Sequence, residues 1–298
     1  MASYFLFLLL PALAVAKINI EIFGTMTGNE NDLQVKYSGS DVSVISDVER
    51  ATYKINDGQL KNAIQAYFGK RPDDAFMRSP TPWGDLYRTY GWSEVTRTLR
   101  PKSARVLKIA ANPEILLEQV FENNSTKPAT FNVGISQSVQ NTISSSWSKG
   151  GDLTVSQEIN YGFDIKAVSF GGSTSFSYSS SWGYNSEKSE SVTVGSSASM
   201  ELLLLPGQSV RAQLHATRGK ALVEVEYEAS LSGAIAVNYD KGYRGHHYWS
   251  LPVGGVMSSG QISNSIVSKE VIEIGYFSNA KVVVHDRAMG TKMLDINL

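Results

Sequence analysis

Residues 152–167 read DLTVSQEINYGFDIKA. The odd positions are Leu153, Val155, Gln157, Ile159, Tyr161, Phe163, Ile165 and Ala167, and the even ones are Asp152, Thr154, Ser156, Glu158, Asn160, Gly162, Asp164 and Lys166. Only Gln157 breaks the apolar/polar alternation, and a period of two marks a β-strand with one apolar face. It holds for sixteen residues, against about five or six in a usual strand. At Ala167-Val168 the phase flips. Thereafter Val168, Phe170, Phe176 and Tyr178 occupy even positions, Gly172 and Thr174 are weak points, and the odd positions hold small residues. Two alternating strands with a flip between them predict a hairpin over 152–178 that keeps one face on one side.

Each arm has the length of a tilted transmembrane β-strand, about ten residues. In a barrel, Leu153, Val155, Ile159, Tyr161, Phe163, Ile165, Val168, Phe170, Phe176 and Tyr178 would meet lipid. Thr154, Ser156, Glu158, Asn160, Ser173 and Ser175 would line a wet lumen, with Phe163–Val168 as the tip that crosses first. Taken alone, the same alternation describes a hairpin in a soluble sandwich, packed on one face and wet on the other. The neighbouring sequence bears on that choice. Phe131–Trp147 precedes the hairpin, Ser179–Met200 follows it, and Glu201–Leu205 leads to Pro206-Gly207 and further strands. In Ala221–Val237, Val223, Val225, Tyr227, Ala229 and Leu231 share one face, opposite Glu224, Glu226 and Glu228.

Composition divides the chain further. Between Thr130 and Ser199 about three residues in ten are Ser, a bias that without the alternation would read as a linker. Before it, Leu60, Ala63, Ile64, Tyr67 and Phe68 recur at helical spacing. Asp57 is placed to cap this helix, and Gly69 and Pro72 close it. Ile18–Phe23, Asp41–Ser46, Ala104–Ala110 and Ile115–Phe121 read as strands, so the N-terminal part is α+β and the whole chain mainly β. Between helix and strands, Trp83, Tyr87, Tyr90 and Trp92 could grip a sugar, a lipid headgroup or a receptor. Packing beside the helix is the commoner use of such residues.

Met1–Ala16 reads as a signal peptide: an apolar run from Tyr4 to Leu10, then Ala14-Val15-Ala16, with Lys17 ending a run too short to span a bilayer. Secretion follows. Asn123-Asn124-Ser125-Thr126 holds two overlapping glycosylation sequons, at Asn123 and Asn124. The chain has no cysteine, which excludes disulfides, thiol nucleophiles and thiolate metal sites. With 27 basic and 28 acidic residues, and the basic ones scattered, the footprint of a nucleic-acid binder is missing. No GxSxG, HExxH, Walker or GxGxxG motif occurs. His246 and His247 would point to opposite faces of a strand and make a poor metal pair. No catalytic residue, cofactor or metal site is expected. Tyr239–Trp249 reads as a polar-aromatic turn.

Thr142-Ile143-Ser144-Ser145-Ser146-Trp147, the hairpin, Ser179-Ser180-Ser181-Trp182-Gly183 and Leu204-Leu205-Pro206-Gly207-Gln208-Ser209-Val210 followed by Val223-Glu224-Val225 resemble, in order and spacing, the pore-forming module of aerolysin, epsilon-toxin and mosquitocidal toxins. That resemblance covers about Phe121–Tyr239. Tyr67-Phe68-Gly69-Lys70-Arg71-Pro72 and Pro80–Tyr87 look similar to insect members of the superfamily, including follicular-epithelium yolk proteins and caterpillar venom components. The resemblance implies an elongated fold of long twisted antiparallel strands. It also implies a soluble form that binds a receptor (glycan or protein) on a target membrane, assembles into a homo-oligomeric ring of about seven, and inserts one hairpin per subunit. Family members are often cleaved near the C-terminus, but Lys281, Arg287 and Lys292 stand singly and form no polybasic site. The expected layout is a signal peptide at 1–16, an N-terminal α+β lobe for receptor or membrane binding at 17–124, and a pore-forming β module at 125–298 with its insertion hairpin at 152–178. The alternatives are an egg yolk or storage protein that keeps the fold without making pores, and a lectin-like binding module.

Overall fold

A computed structural model describes residues 18–25, 33–149, 153, 158–166, 173–183, 185–195 and 200–297, with the backbone alone at 25, 148, 149, 166, 173–178 and 180. In chain order the elements are β1 (Asn19–Thr25), β2 (Leu33–Ser38), β3 (Asp41–Val44), α1 (Asp47–Thr52), α2 (Asp57–Phe68), β4 (Asp74–Phe76), α3 (Pro82–Tyr90) and β5 (Thr96–Glu122). Then come β6 (Ala129–Asn132), β7 (Ser136–Lys149), β8 (Glu158–Lys166), β9 (Ser173–Ser181), β10 (Ser186–Gly195) and β11 (Glu201–Leu204). The last are β12 (Ser209–Ser232), β13 (Ala234–Tyr243), β14 (His246–Pro252), α4 (Val253–Ser259), β15 (Ser265–Asp286) and β16 (Lys292–Asn297). The fold is mainly β, as the sequence patterns predict.

The spine is a seven-stranded sheet in the order β10-β7-β15-β12-β5-β3, with β16 added on β15. β12, β5 and β15 run 24, 27 and 22 residues. The two strands expected at 104–110 and 115–121 are parts of one, β5, which pairs with β12 from Glu122↔Ser209 to Thr96↔Ser232. β12 shows why such length is stable. Val223, Val225, Tyr227, Ala229 and Leu231 are buried, while Glu224, Glu226 and Glu228 face outward. Across the strands those carboxylates meet Arg105 (2.8 Å), Lys102 (3.8 Å) and Arg100 (3.3 Å). Each exposed pair contributes little alone, but together they fix register.

Further along β12 the phase of burial changes. Val210, Ala212, Leu214 and Ala216 are buried at even positions, and from Gly219 onward the odd positions are. Register irregularities flank the change, opposite β15 between His215 and Thr217 and opposite β5 between Leu214 and His215. Because side chains alternate faces along a strand, the shift puts two cores on opposite faces of β12. One gathers Val133, Ile135, Val194 and Leu204 over the start of β12. The other, larger, lies under a four-stranded sheet, β2-β1-β8-β9. At the change, Gly219 lies under the ring of Tyr276, where a Cβ would approach Tyr276 Cζ to 1.8 Å.

The expected boundary at residue 124 falls just past the end of β5, so the first 124 residues contribute β3 and β5 to the spine and β1 and β2 to the sheet that holds the hairpin. The compact end of the molecule joins α1, α2, β4 and α3 to β13, β14 and α4 through the sheet β14-β13-β4. α2 stops at Gly69 in the left-handed conformation (φ 95°), as expected. Its N-cap, however, is Asn56 rather than Asp57, and Asn56 makes no side-chain capping bond. Arg97 is fully buried and ties this end to the spine, with Nη1 2.6 Å from the Asp41 carboxylate, Nε donating to Glu49 Oε1 at 2.8 Å and Nη2 donating to Ser43 Oγ at 2.6 Å.

Both Arg97 carboxylate partners are themselves buried, so removing the guanidinium strands two charges away from water. Arg97→Ala is expected to lower unfolding free energy by about 3–5 kcal/mol, readable as a shifted urea midpoint at unchanged slope.

Candidate functional site

The predicted hairpin lies between β8 and β9, which pair in antiparallel register with Tyr161 opposite Tyr178, Phe163 opposite Phe176 and Ile165 opposite Thr174. Directly opposed residues in such a pair share a face. Ser175 and Ser173 sit across from Asp164 and Lys166 at the alternate positions. On β8, Ile159, Tyr161, Phe163 and Ile165 are all buried, as is Leu153 just before it. Glu158 and Asp164 are exposed, and Asn160 is half-buried. Asn160 Nδ2 donates to Asn19 Oδ1 (3.2 Å), and its Oδ1 accepts from Ser179 Oγ (2.8 Å). Thr154, Val155, Ser156, Val168 and Phe170 lie outside the described residues.

β8 is held from two directions. Along its edge, β1 pairs with it in parallel from Asn19↔Asn160 to Thr25↔Lys166. Beneath it, the Tyr161 hydroxyl donates to Glu270 Oε1 at 2.5 Å, and Tyr227 on β12 donates to Glu270 Oε2 at 2.8 Å. Glu270, on β15, has no exposed surface. Burial pushes its carboxyl pKa up, against the pull of the Tyr161, Ser145 and Tyr227 hydroxyls. Tyr227 also joins Trp147 and Trp182 in a ring cluster with centroids 4.4, 5.0 and 5.4 Å apart. The two tryptophans that end the matching Ser-Ser-Ser-Trp motifs thus meet each other. Sequence reasoning missed Glu270, yet a signal was present: it lies in phase with the apolar Ile272, Ile274 and Tyr276.

The aromatic residues of the N-terminal part divide. Tyr87 is buried, its hydroxyl donating to Phe76 O (2.8 Å) and accepting from Ala236 N–H (3.3 Å), so it is a core residue. Trp83 and Tyr90 are 44% and 53% exposed. Trp83 packs against Phe76 and Tyr248 at 5.9 and 5.3 Å, and Tyr90 stacks on the half-buried Trp92 at 4.9 Å. Trp83 stands at the head of a left-handed turn, in which Trp83, Gly84 and Asp85 have φ of 64°, 79° and 59°. That region is costly for the L-residues Trp83 and Asp85 and open to Gly84. Asp85 stabilises the turn by accepting from Ser79 Oγ (2.5 Å) and Thr81 N–H (3.4 Å). The Ser79 hydroxyl holds its carboxyl below the usual range.

The polar-aromatic segment 239–249 is a tight hairpin between β13 and β14, turning at Arg244 and Gly245 with positive φ. His247 bonds to the Tyr239 carbonyl (2.8 Å), and His246 lies edge-on to Trp249. Of the two sequons, only Asn124 is exposed. The expectation at Asn123 is corrected: its side chain is buried, and Nδ2 donates both to Lys127 O (2.9 Å) and to Leu204 O (2.8 Å), which leaves no room for a glycan in the folded chain.

No family model matches the chain. Its fold is shared with parasporin-2, a Bacillus thuringiensis toxin that recognises cancer cells, at a TM-score of 0.63 and 18% identity, over 87% of this chain and all of that one. The architecture is therefore that of the aerolysin-like β proteins. Among them, the chain belongs to the megalopygitoxins, caterpillar venom proteins. It is 42% identical over 253 residues to U-megalopygitoxin(8)-Mc8 of Megalopyge crispata, covering 85% of this chain and 87% of that one. To U-megalopygitoxin(8)-Mo12 of Megalopyge opercularis it is 41% identical with the same coverage. The insect resemblance drawn from the sequence motifs is shown.

The left-handed turn makes a specific prediction. A Cβ on Gly84 would meet nothing within 4 Å, so Gly84→Ala tests conformation alone. A loss of about 1 kcal/mol in chemical denaturation is expected.

Proposed function

We propose that this chain is a secreted β-pore-forming toxin. It binds a target membrane, assembles into a ring with copies of itself and inserts the hairpin 152–178 from each subunit into one transmembrane barrel. The observation that carries the reading is the apolar face of β8, which is complete, strand-long and wholly covered in the soluble form. Ile159, Phe163 and Ile165 are buried, and keeping three such side chains from water stabilises the docked state by roughly 5–9 kcal/mol. Lipid offers the same faces an equivalent solvent. Glu158 and Asn160 on β8, with Ser173 and Ser175 on β9, then occupy the lumen side. A lone hairpin in hydrocarbon leaves backbone groups unpaired at several kcal/mol each, so the ring is required by the backbone itself. Membership among venom proteins and the fold shared with a toxin both support the reading.

Membrane or receptor contact is assigned to the compact end, through Trp83, Tyr90 and Trp92, on the side where Trp83 packs against Tyr248. Apolar rings with polar edges suit a headgroup or a glycan. Tyr87 takes no part, being a core residue.

Testing the hairpin needs care, because Phe163 and Ile165 are core residues before insertion and a charge placed there would damage the soluble fold as well. A crosslink avoids the confusion. Glu21 and Gly162 are register partners in the parallel β1–β8 pair, at a spacing of about 4.8 Å that a disulfide accepts. The chain has no other cysteine. The double variant Glu21→Cys, Gly162→Cys is expected to release no dye from liposomes or lyse red cells when oxidised, and to regain wild-type release on reduction. Full activity in the oxidised state would exclude β8 as the inserting strand. No release by the wild type from any membrane would favour the storage reading.

Trp83→Ser combined with Tyr90→Ser is expected to weaken cell binding by about ten-fold or more while leaving thermal stability within about 1 kcal/mol, since both side chains are exposed. Sedimentation with cells and a melting curve read the two quantities separately.

A further inference from the structure

Glu270 is a fully buried carboxyl whose partners come from two different parts of the molecule. Tyr227 belongs to the spine, one strand away on β12, and remains beside Glu270 whatever the hairpin does. Tyr161 belongs to β8, 109 residues distant in sequence, and leaves with the hairpin. The Tyr161–Glu270 bond is a polar contact across the seam under β8, where Ile159, Phe163 and Ile165 are buried beside Tyr161. The seam closes at the far side with Trp182, which follows β9 and packs on Trp147 and Tyr227.

We propose that Glu270 is the latch of the soluble form: an autoinhibitory contact in which one buried carboxyl, bonded by Tyr161 from the hairpin and by Tyr227 from the spine, holds the hairpin in place. The proposal rests on β8 being the strand that leaves. Facing the carboxyl are Tyr161 from β8, Tyr227 from β12 and Ser145 from β7. On its own strand, neighbouring Lys269 points to the opposite face, where it reaches Glu224 and Glu226 at 3.5 Å. Opening the seam admits water to Glu270 and removes Tyr161.

The direction of the pH effect follows. Burial is the largest influence on the docked carboxyl and raises its pKa, and release returns it toward the ordinary value. The docked state therefore binds the proton more tightly. Docking is strongest below the ordinary carboxyl range and weakens as pH rises through the elevated docked value. Acid holds the hairpin down, and a neutral or alkaline medium loosens it.

The test reads opening without a membrane, as hydrogen exchange of β8 amides in the full chain, divided by the intrinsic rate at each pH. From about pH 5 to about pH 8 the wild-type opening constant is expected to rise about ten-fold or more. Glu270→Gln, which keeps the shape and cannot ionise, is expected to be flat over that range. Tyr161→Phe is expected to open roughly ten-fold more than wild type at low pH, because it removes a bond made only when docked. Tyr227→Phe is expected to leave opening near wild type, because its bond survives release. A purely structural role would make the two tyrosine variants alike, and that result, or an unchanged pH slope in Glu270→Gln, would overturn the latch. Should Glu270→Gln fail to fold, the comparison of the two tyrosine variants decides. Opening that follows the latch with no dye release from liposomes would count against the pore and leave the latch standing. Release from liposomes with opening insensitive to Glu270 would do the reverse.

Discussion

A strand that is apolar along the whole of one face must cover that face in water, and much of this molecule is arranged around doing so for β8. Ile159, Tyr161, Phe163 and Ile165 find their cover on the long spine, beside Ile18, Ile20 and Ile22 of the N-terminal segment. Under the proposed pore reading, the cover has to hold in water and still be replaceable by lipid. An apolar seam meets that condition, because hydrocarbon and protein core are similar solvents for Ile and Phe. Where the seam holds a polar bond, as at Tyr161 and Glu270, the docked state gains something lipid cannot supply. Under the proposed latch, docking depends on a chosen group and not only on area.

The spine supplies rigidity by a different means. On the outer face of β12, Glu224, Glu226 and Glu228 meet a row of Arg and Lys from β5 and β15. On its inner face Val, Tyr and Ala pack without exposure. The two faces exchange roles near Thr217, where flanking strands carry irregularities and Gly219 admits the ring of Tyr276. Bulges add twist and re-aim side chains, and here they let one sheet serve two cores. A long strand with a core at each end can lose the cover of one while keeping the other, as the proposed hairpin transition requires.

At the compact end, energy is spent on presentation. Three consecutive residues in the left-handed region keep Trp83 partly in solvent, steadied by Asp85 and Ser79. Strain held in place by side-chain hydrogen bonds beside an exposed tryptophan suits the contact surface proposed for this end. Arg97, with Asp41 and Glu49, anchors this end to the spine through a buried charge cluster. Breaking such a cluster is far more damaging than its net contribution suggests.

Periodicity and turn chemistry are local, and what they determine was legible. The alternation along 158–166 matches the burial of Ile159, Tyr161, Phe163 and Ile165, and the backbone register pairs Tyr161 and Phe163 with Tyr178 and Phe176. Gly69 ended α2, and the motif order identified the superfamily. What lay beyond reach was what each face meets. Asn123 reads as a sequon but is a buried bridge to Leu204, 81 residues away. Glu270 reads as one charge among many until Tyr161 arrives from 109 residues off. Arg97 finds its carboxylates on β3 and α1. A sequence of one chain encodes the phase of a strand, because side-chain direction follows from the backbone alone. The partner of a buried polar group is decided only by tertiary packing, because low-dielectric surroundings and hydrogen-bond distance are created together when distant strands close over it.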